Sequence, residues 1–108
     1  MHKINIYLDD ERNPRRDDWI VVRSYSEFEK ILSSVDVVDE ISFDHDLGEE
    51  KTGYDCLKLL VEKDINSDGK FLNENFKYNF HTANICGKIN METYIKCYLK
   101  IKGVVVHV

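Results

Sequence analysis

The stretch Glu40–Gly48 (EISFDHDLG) joins an apolar run directly to two aspartates that flank a histidine. Its first part, EISF, has the short length and the β-branched and aromatic content of a buried strand. Its second part contains the aspartates and the glycine that commonly form turns. The stretch therefore predicts a strand over Glu40–Phe43 whose C-terminal end carries Asp44, His45 and Asp46.

The same pattern occurs near the N-terminus. Lys3–Leu8 (KINIYL) predicts a buried strand that ends abruptly in Asp9, Asp10 and Glu11. In an open parallel sheet, ligands bind beyond the C-terminal strand ends, where the strand order reverses. If these two strands are neighbours, their carboxylates converge, and Mg²⁺ or Mn²⁺ would relieve the repulsion between them.

Strand and helix signals alternate along the rest of the chain. The predicted strands are Trp19–Arg23, Lys77–Phe80 and Val104–Val108. The predicted helices are Glu27–Ser34 with Ser24 or Ser26 as cap, Thr52–Lys63, and Asn90–Lys102 with Asn90 as cap. The segment Ile65–Asn75 is expected to be the least ordered connection. This alternation predicts a single α/β domain over residues 1–108, with an open, mainly parallel sheet and helices packed on its faces. We expect the first strand to lie between the second and the third.

Composition narrows the classes of function. The chain has 15 Lys and Arg against 20 Asp and Glu, a formal net charge of −5, so duplex nucleic acid is an unlikely partner. The three cysteines are odd in number and lack CxxC spacing, which favours a reducing cytoplasm over a secreted disulfide scaffold. No stretch resembles a signal peptide or a membrane span. We therefore expect a cytoplasmic protein with a small-molecule ligand, and a protein partner stays open.

A third polar cluster, His81, Thr82 and Asn84, follows the predicted strand Lys77–Phe80. An Asp-Asp pair after a strand is more often a turn or a cap than a site. The second acidic strand end and this third cluster shift the balance toward a joint site. For the other notable residues we expect structural roles. His2 and His107 are structural or incidental, Cys56 and Cys97 pack, Cys86 lies in a loop without a catalytic role, and Trp19 with the Tyr and Phe residues belongs to the core.

Four ordered motifs resemble one known family. They are LDDERNP (Leu8–Pro14), FDHDLG (Phe43–Gly48), TGYD (Thr52–Asp55) and HTAN (His81–Asn84), with Gly87-Lys88 following. Together they resemble the cyclic-phosphate-processing receiver family of phages and bacteria. The resemblance implies a receiver-like (flavodoxin-like) fold with flanking helices and a shortened first crossover, and a role in processing cyclic phosphates, including the nucleotide signals of phage–host conflict.

The resemblance also implies roles for single residues. Asp9, Asp10 and Asp44 match the acidic pocket of receivers, and His45, Asp46 and His81 match the residues that set this family apart. Thr82 stands where the family more often has Ser, and Ile85-Cys86 departs from the Pro-containing stretch expected after Asn84. No lysine ends the last strand, which counts against a phosphoacceptor that uses Asp44 as nucleophile.

These observations lead to one leading hypothesis, a metal-dependent phosphodiesterase that opens a cyclic phosphate in a nucleotide or an RNA end. The expected assignments are Asp9, Asp10 and Asp44 as ligands of Mg²⁺ or Mn²⁺, His45 and His81 as general acid and base, Asp46 and Thr82 as supporting catalytic residues, and Lys88 and Asn84 as phosphate-binding residues. The alternative is a non-catalytic receiver-like module that binds a cyclic nucleotide or a partner protein through the same crevice.

Overall fold

A computed structural model describes residues 3–106, with side chains described through residue 103. The elements are β1 (Asn5–Leu8), β2 (Ile20–Val22), α1 (Tyr25–Ser34), β3 (Val38–Phe43), α2 (Gly53–Asn66), β4 (Leu72–Phe80) and α3 (Ile85–Val106). The four strands form one parallel sheet in the order β2-β1-β3-β4. The predicted position of the first strand, between the second and the third, is confirmed, and so is the receiver-like α/β fold.

The hydrophobic core lies on one face of the sheet. Side chains alternate between the two faces of a strand, so Ile6, Leu8, Ile41 and Phe43 share a face, and all four are fully buried. The three helices contribute their buried side chains to the same cluster: Phe28 and Leu32 from α1, Cys56, Leu57, Leu60 and Val61 from α2, and Met91 and Ile95 from α3. On the other face, the connection between β1 and β2 contacts the polar and aromatic side chains of the strands, in the pairs Asp18–Asn5, Trp19–Tyr7 and Arg16–Glu40.

The segment Ile65–Asn75 is not the poorly ordered connection that was expected, because the carboxylate of Asp64 orders it and its two ends belong to α2 and β4. Asp64 is fully buried, and its Oδ1 accepts a hydrogen bond from the Leu72 backbone N–H at 2.8 Å. Its Oδ2 accepts from the Tyr98 hydroxyl at 2.6 Å and from Lys102 Nζ at 2.9 Å. Ser67 adds hydrogen bonds to the following turn. These contacts join α2, β4 and α3, so β4 already begins at Leu72.

The start of α3 also differs from the prediction. The helix begins at Ile85 rather than after Asn90, because Asn84 is the cap: its Oδ1 accepts a hydrogen bond from the Gly87 N–H at 2.8 Å. Cys86 therefore lies exposed in the first helical turn and not in a loop. In the chain, α3 therefore begins directly after the short loop that follows β4.

The predicted last strand and three assignments to the core are wrong. Residues 104–106 continue α3 instead of forming a strand, since Tyr98 and Lys102 hold the preceding turns on α2 and the helix runs on despite the lower helix propensity of valine. Trp19 and Tyr7 are partly buried but lie outside the core, and Cys97 is exposed. His2, His107 and Val108 lie outside the described residues.

Candidate functional site

Three side chains meet at the C-terminal edge of the sheet because the backbone ladder continues one residue beyond three strands. The Asp9 N–H donates to Val22 O, the Asp44 N–H to Leu8 O and the His81 N–H to Phe43 O, at 2.9–3.1 Å. Asp9, Asp44 and His81 are therefore aligned side by side although they are far apart in sequence. One ligand atom from each lies within 4.8 Å of the others, which makes this a group that could hold a metal ion.

Asp9 is the most constrained of the three. Its side chain is 1% exposed, and its Oδ1 accepts hydrogen bonds from the backbone N–H groups of Glu11 and Arg12, both at 2.8 Å. Its Oδ2 lies 3.0 Å from His81 Nε2. Burial alone would raise the pKa of Asp9, but the two backbone donors, His81 and the Arg12 guanidinium together hold this pKa below its usual range. Asp9 is therefore ionised near neutral pH, as a metal ligand must be.

Arg12 belongs to the site although the sequence analysis did not assign it a role. Its Nε lies 2.9 Å from Asp9 Oδ2, and its Nη2 lies 3.6 Å from Asp44 Oδ2. The guanidinium thus offsets the repulsion between two buried carboxylates while half of it stays exposed to solvent. The sequence does indicate this position, because Arg12 follows the end of β1 by four residues in the LDDERNP motif and an arginine there can reach back over the strand end.

A chain of hydrogen bonds behind His81 fixes the orientation of its ring. Ser42 Oγ donates its single proton to Asn79 Oδ1 at 2.5 Å, so it accepts from His81 Nδ1 at 2.7 Å. With Nδ1 held by this hydrogen bond, Nε2 is the ring nitrogen that donates to Asp9 Oδ2 in the metal-free protein and that could instead bind a cation. The ring is also stacked on Tyr7, with centroids 4.4 Å apart and planes 6° from parallel. The hydrogen bond and the stacking hold the ring with Nε2 toward Asp9, as a metal ligand there requires.

This arrangement makes a testable prediction. Ser42→Ala or Asn79→Ala should weaken binding of Mn²⁺ by roughly 10–100-fold, the usual cost of losing an outer partner of a ligating histidine. Asn79→Asp keeps the acceptor and should retain most of the affinity. Isothermal titration calorimetry measures the Mn²⁺ affinity of all three variants, and an unchanged affinity in Ser42→Ala would show that the hydrogen bond at His81 Nδ1 does not support a metal ligand.

A second histidine, His45, forms a pair with Asp46. His45 Nδ1 lies 3.0 Å from Asp46 Oδ1, and Asn84 Nδ2 lies 3.3 Å from both His45 Nδ1 and Asp46 Oδ2. The hydrogen bond from His45, with a further one from Asn84, lowers the pKa of Asp46. Gly87 explains the close approach of α3, because a Cβ there would lie 2.5 Å from the His45 ring.

The loop that carries His45 is clamped by the start of α2. The Gly53 N–H donates to His45 O at 2.7 Å, and a Cβ on Gly53 would lie 1.8 Å from Asp44 O. Asp55 accepts a hydrogen bond from the Thr52 N–H at 2.8 Å, which fixes the first turn of the helix. The TGYD motif therefore positions Asp44 and His45 through backbone contact, with glycine at the one point where no side chain fits.

A cleft of about 340 Å³ lies over the acidic edge of the sheet. It is lined by Asp9, Asp10, Glu11, Arg12, Asp44, Asp46, Gly48, Thr82, Ala83 and Asn84. Asp10 lines this cleft, but the candidate metal group joins His81 rather than Asp10 to Asp9 and Asp44. His45 lies beside the cleft, packed on Gly87, and Lys88 is exposed in the first turn of α3 outside the lining.

Two carboxylates and one imidazole are a donor set for a divalent cation. Carboxylates suit Mg²⁺ and Mn²⁺, and the imidazole nitrogen favours a transition metal such as Mn²⁺ over Mg²⁺.

Within residues 3–106, none of the helices combines the length and the apolar character needed to cross a membrane.

The family model for the cyclic-phosphate processing receiver domain matches residues 4–97 of the chain. Neither a curated protein nor a solved structure gave a significant match.

Proposed function

Because the chain belongs to the cyclic-phosphate processing receiver domain family, we propose that it is a metal-dependent phosphodiesterase that opens a cyclic phosphate. One observation carries this proposal: ligand atoms of Asp9, Asp44 and His81 lie within 4.8 Å of one another, at the edge where open parallel sheets bind their ligands. The cytoplasm, where the exposed thiols of Cys86 and Cys97 stay reduced, is the compartment we propose for it.

Asp9, Asp44 and His81 Nε2 would hold Mn²⁺ or Mg²⁺ in this proposal. Such a cation polarises a phosphoryl oxygen and lowers the pKa of a nearby water when it is bound. Arg12, already against both carboxylates, is placed to share the negative charge of the phosphate once the cation neutralises the aspartates. This assigns His81 to binding and leaves the proton transfer to another group.

The proposed reaction is hydrolysis. The oxygen of water forms a bond to phosphorus, one ester P–O bond of the ring breaks, and the product is a phosphomonoester. One proton leaves the attacking water and one proton is delivered to the ester oxygen that departs. His45, oriented by Asp46 and Asn84, is the group we assign to this transfer, with Thr82 and Asn84 contacting the phosphate from the loop after β4.

The second candidate function is a binding module that holds a cyclic nucleotide without cleaving it. The position of His45 favours this alternative. Asp46 lines the cleft but His45 does not, so the imidazole assigned to proton transfer is not among the groups that face a ligand there. A module of this kind would use the same residues for affinity and would release no product.

Turnover separates the two functions. Wild-type protein with Mn²⁺ should convert at least one member of a panel of cyclic mononucleotides, cyclic dinucleotides and 2′,3′-cyclic phosphates into a phosphomonoester, detected by chromatography. His45→Ala should lose roughly 10²–10⁴-fold in turnover with little change in metal affinity. Glu74→Gln, an exposed change on β4, is the matched control. Ligand retained without product, in wild type and variant alike, would establish the binding module instead.

A further inference from the structure

The face of the sheet opposite the helices carries a second cleft, of about 630 Å³. It lies between the sheet and the connection from β1 to β2, and it is lined by Tyr7, Glu11, Arg12, Asn13, Pro14, Arg15, Arg16, Trp19, Glu40 and Asn79. Its volume falls within the roughly 300–1,000 Å³ of small-molecule sites. The two clefts share Glu11 and Arg12, so one ligand can reach both.

The aromatic residues of this cleft lead directly to the candidate metal group. Tyr7 is stacked on His81, and the Trp19 ring meets Tyr7 edge to face, with centroids 5.9 Å apart and an angle of 62°. The Arg16 guanidinium lies over the Trp19 ring, 4.6 Å from its centroid. None of these side chains belongs to the hydrophobic core. Tyr7 and Trp19 are partly buried, and tyrosine and tryptophan beside arginine are the groups that stack on nucleobases.

The wall of the second cleft is held in place before any ligand arrives. Arg23 Nη1 donates to the backbone oxygens of Asp9 and Arg12, at 3.2 Å and 2.6 Å, and its Nη2 donates to Asn13 Oδ1. Arg16 is paired with Glu40 at 3.0 Å. A cleft fixed by such contacts does not have to be ordered on binding, and this raises its affinity for a fitting ligand.

The charge of the second cleft differs from that of the whole chain. Three arginines line it against two glutamates, whereas the chain carries a net charge of −5. Among the hydrogen bonds and ion pairs of the described residues, Arg15 takes part in none, and its side chain is exposed. Arg12 and Arg16 are already paired with carboxylates, so Arg15 supplies the guanidinium that remains for a ligand. A guanidinium beside aromatic rings favours a ligand that is both anionic and aromatic.

We infer that this second cleft binds the nucleoside part of the ligand, so that the substrate class is a nucleotide and not a cyclic phosphate without a base. The inference rests on the proposed function, since it places the phosphate of the same molecule at Asp9, Asp44 and His81. Tyr7 and Trp19 contact the base, while Arg15 adds attraction for the anion.

The single tryptophan of the chain allows a direct test. Stopped-flow fluorescence with Mg²⁺ should show a saturable change in Trp19 emission on addition of 2′,3′-cyclic AMP, before turnover. Ethylene phosphate, a five-membered cyclic phosphodiester without a base, should bind at least tenfold more weakly than the nucleotide, because stacking on a base commonly contributes that much. Equal affinities of the two compounds would overturn the inference.

Variants separate this inference from the proposed function, with equilibrium dialysis as the measurement. Trp19→Ala should weaken binding of 2′,3′-cyclic AMP roughly tenfold and leave ethylene phosphate unchanged. Arg15→Gln, on an exposed side chain, should cost roughly 2–5-fold, more at low salt, even if Trp19→Ala fails to fold. Nucleotide affinity unchanged in both variants overturns the inference. Asp44→Asn should weaken binding of both compounds. If Trp19→Ala lowers the nucleotide affinity and Asp44→Asn does not, that result would contradict the proposed function alone.

Discussion

Replacing Asp64 with Asn is expected to lower the free energy of unfolding by about 3 kcal/mol, near the lower end of the cost of breaking a buried ion pair. The carboxylate is fully buried, pairs with Lys102 and accepts hydrogen bonds from Tyr98 and Leu72. An amide can still accept from one backbone N–H, but it leaves the Lys102 cation unpaired. Urea denaturation monitored by circular dichroism measures the loss.

The same pair predicts a pH dependence of stability. Burial raises the pKa of Asp64, but the hydrogen bonds from Leu72, Tyr98 and Lys102 outweigh it and hold this pKa below its usual range. A depressed pKa stabilises the native state above the pKa of the unfolded chain, near 3.9, and this stabilisation is lost as the pH falls through the folded value. The difference between wild type and Asp64→Asn should therefore be constant near neutral pH and shrink below about pH 4.

An exposed pair on the same helix is the matched control. Lys96 and Glu92 lie 3.7 Å apart on α3, and Lys96→Gln should cost less than about 1 kcal/mol. Tyr98→Phe removes one hydrogen bond to a carboxylate, so its loss in the free energy of unfolding should lie between those of Lys96→Gln and Asp64→Asn, at roughly 1.5–3 kcal/mol. A loss in Asp64→Asn no larger than that in Lys96→Gln would mean that Asp64 does not hold α3 on the rest of the fold.

The parts of the fold that follow from local pattern were predictable. Apolar runs that end in aspartate indicated β1 and β3, and parallel strands place their C-terminal ends at one edge, so Asp9 and Asp44 were expected to meet. Ser24 was one of two predicted caps, and it is the one whose Oγ accepts a hydrogen bond, from the Glu27 N–H at 3.2 Å. These features depend on neighbours in sequence or on the parallel arrangement alone.

The parts that depend on long-range contacts were not predictable. The segment Ile65–Asn75 looks like a loop because the groups that order it include Tyr98 and Lys102, more than thirty residues away from Asp64. The strand β4 is rich in polar residues because it lies at the edge of the sheet and one of its faces has no helix against it. Its sequence therefore shows only a weak alternation of apolar and polar residues, and a strand is hard to predict from it. Trp19 was placed in the core for the same reason: nothing local shows that one face of the sheet lacks helices.

The candidate metal group leads to the second large expected effect. A cation present at about 100 times its dissociation constant stabilises the protein by about 2.7 kcal/mol, which corresponds to a rise in melting temperature of roughly 10–20 °C for a domain of this size. Asp9→Asn and Asp44→Asn should each lose most of this rise, because each removes one of the two carboxylates of the group. Differential scanning calorimetry with and without Mn²⁺ measures the effect.

The two variants should differ when no metal is added. Asp9 accepts hydrogen bonds from two backbone N–H groups and from Arg12, so Asp9→Asn should destabilise the metal-free protein by roughly 1.5–3 kcal/mol. Asp44→Asn keeps an acceptor for the His45 N–H and removes a negative charge beside Asp9, so the metal-free melting temperature should stay the same or rise. An equal response to Mn²⁺ in wild type and both variants would show that the cation binds elsewhere, because a site built on these carboxylates cannot survive the loss of either.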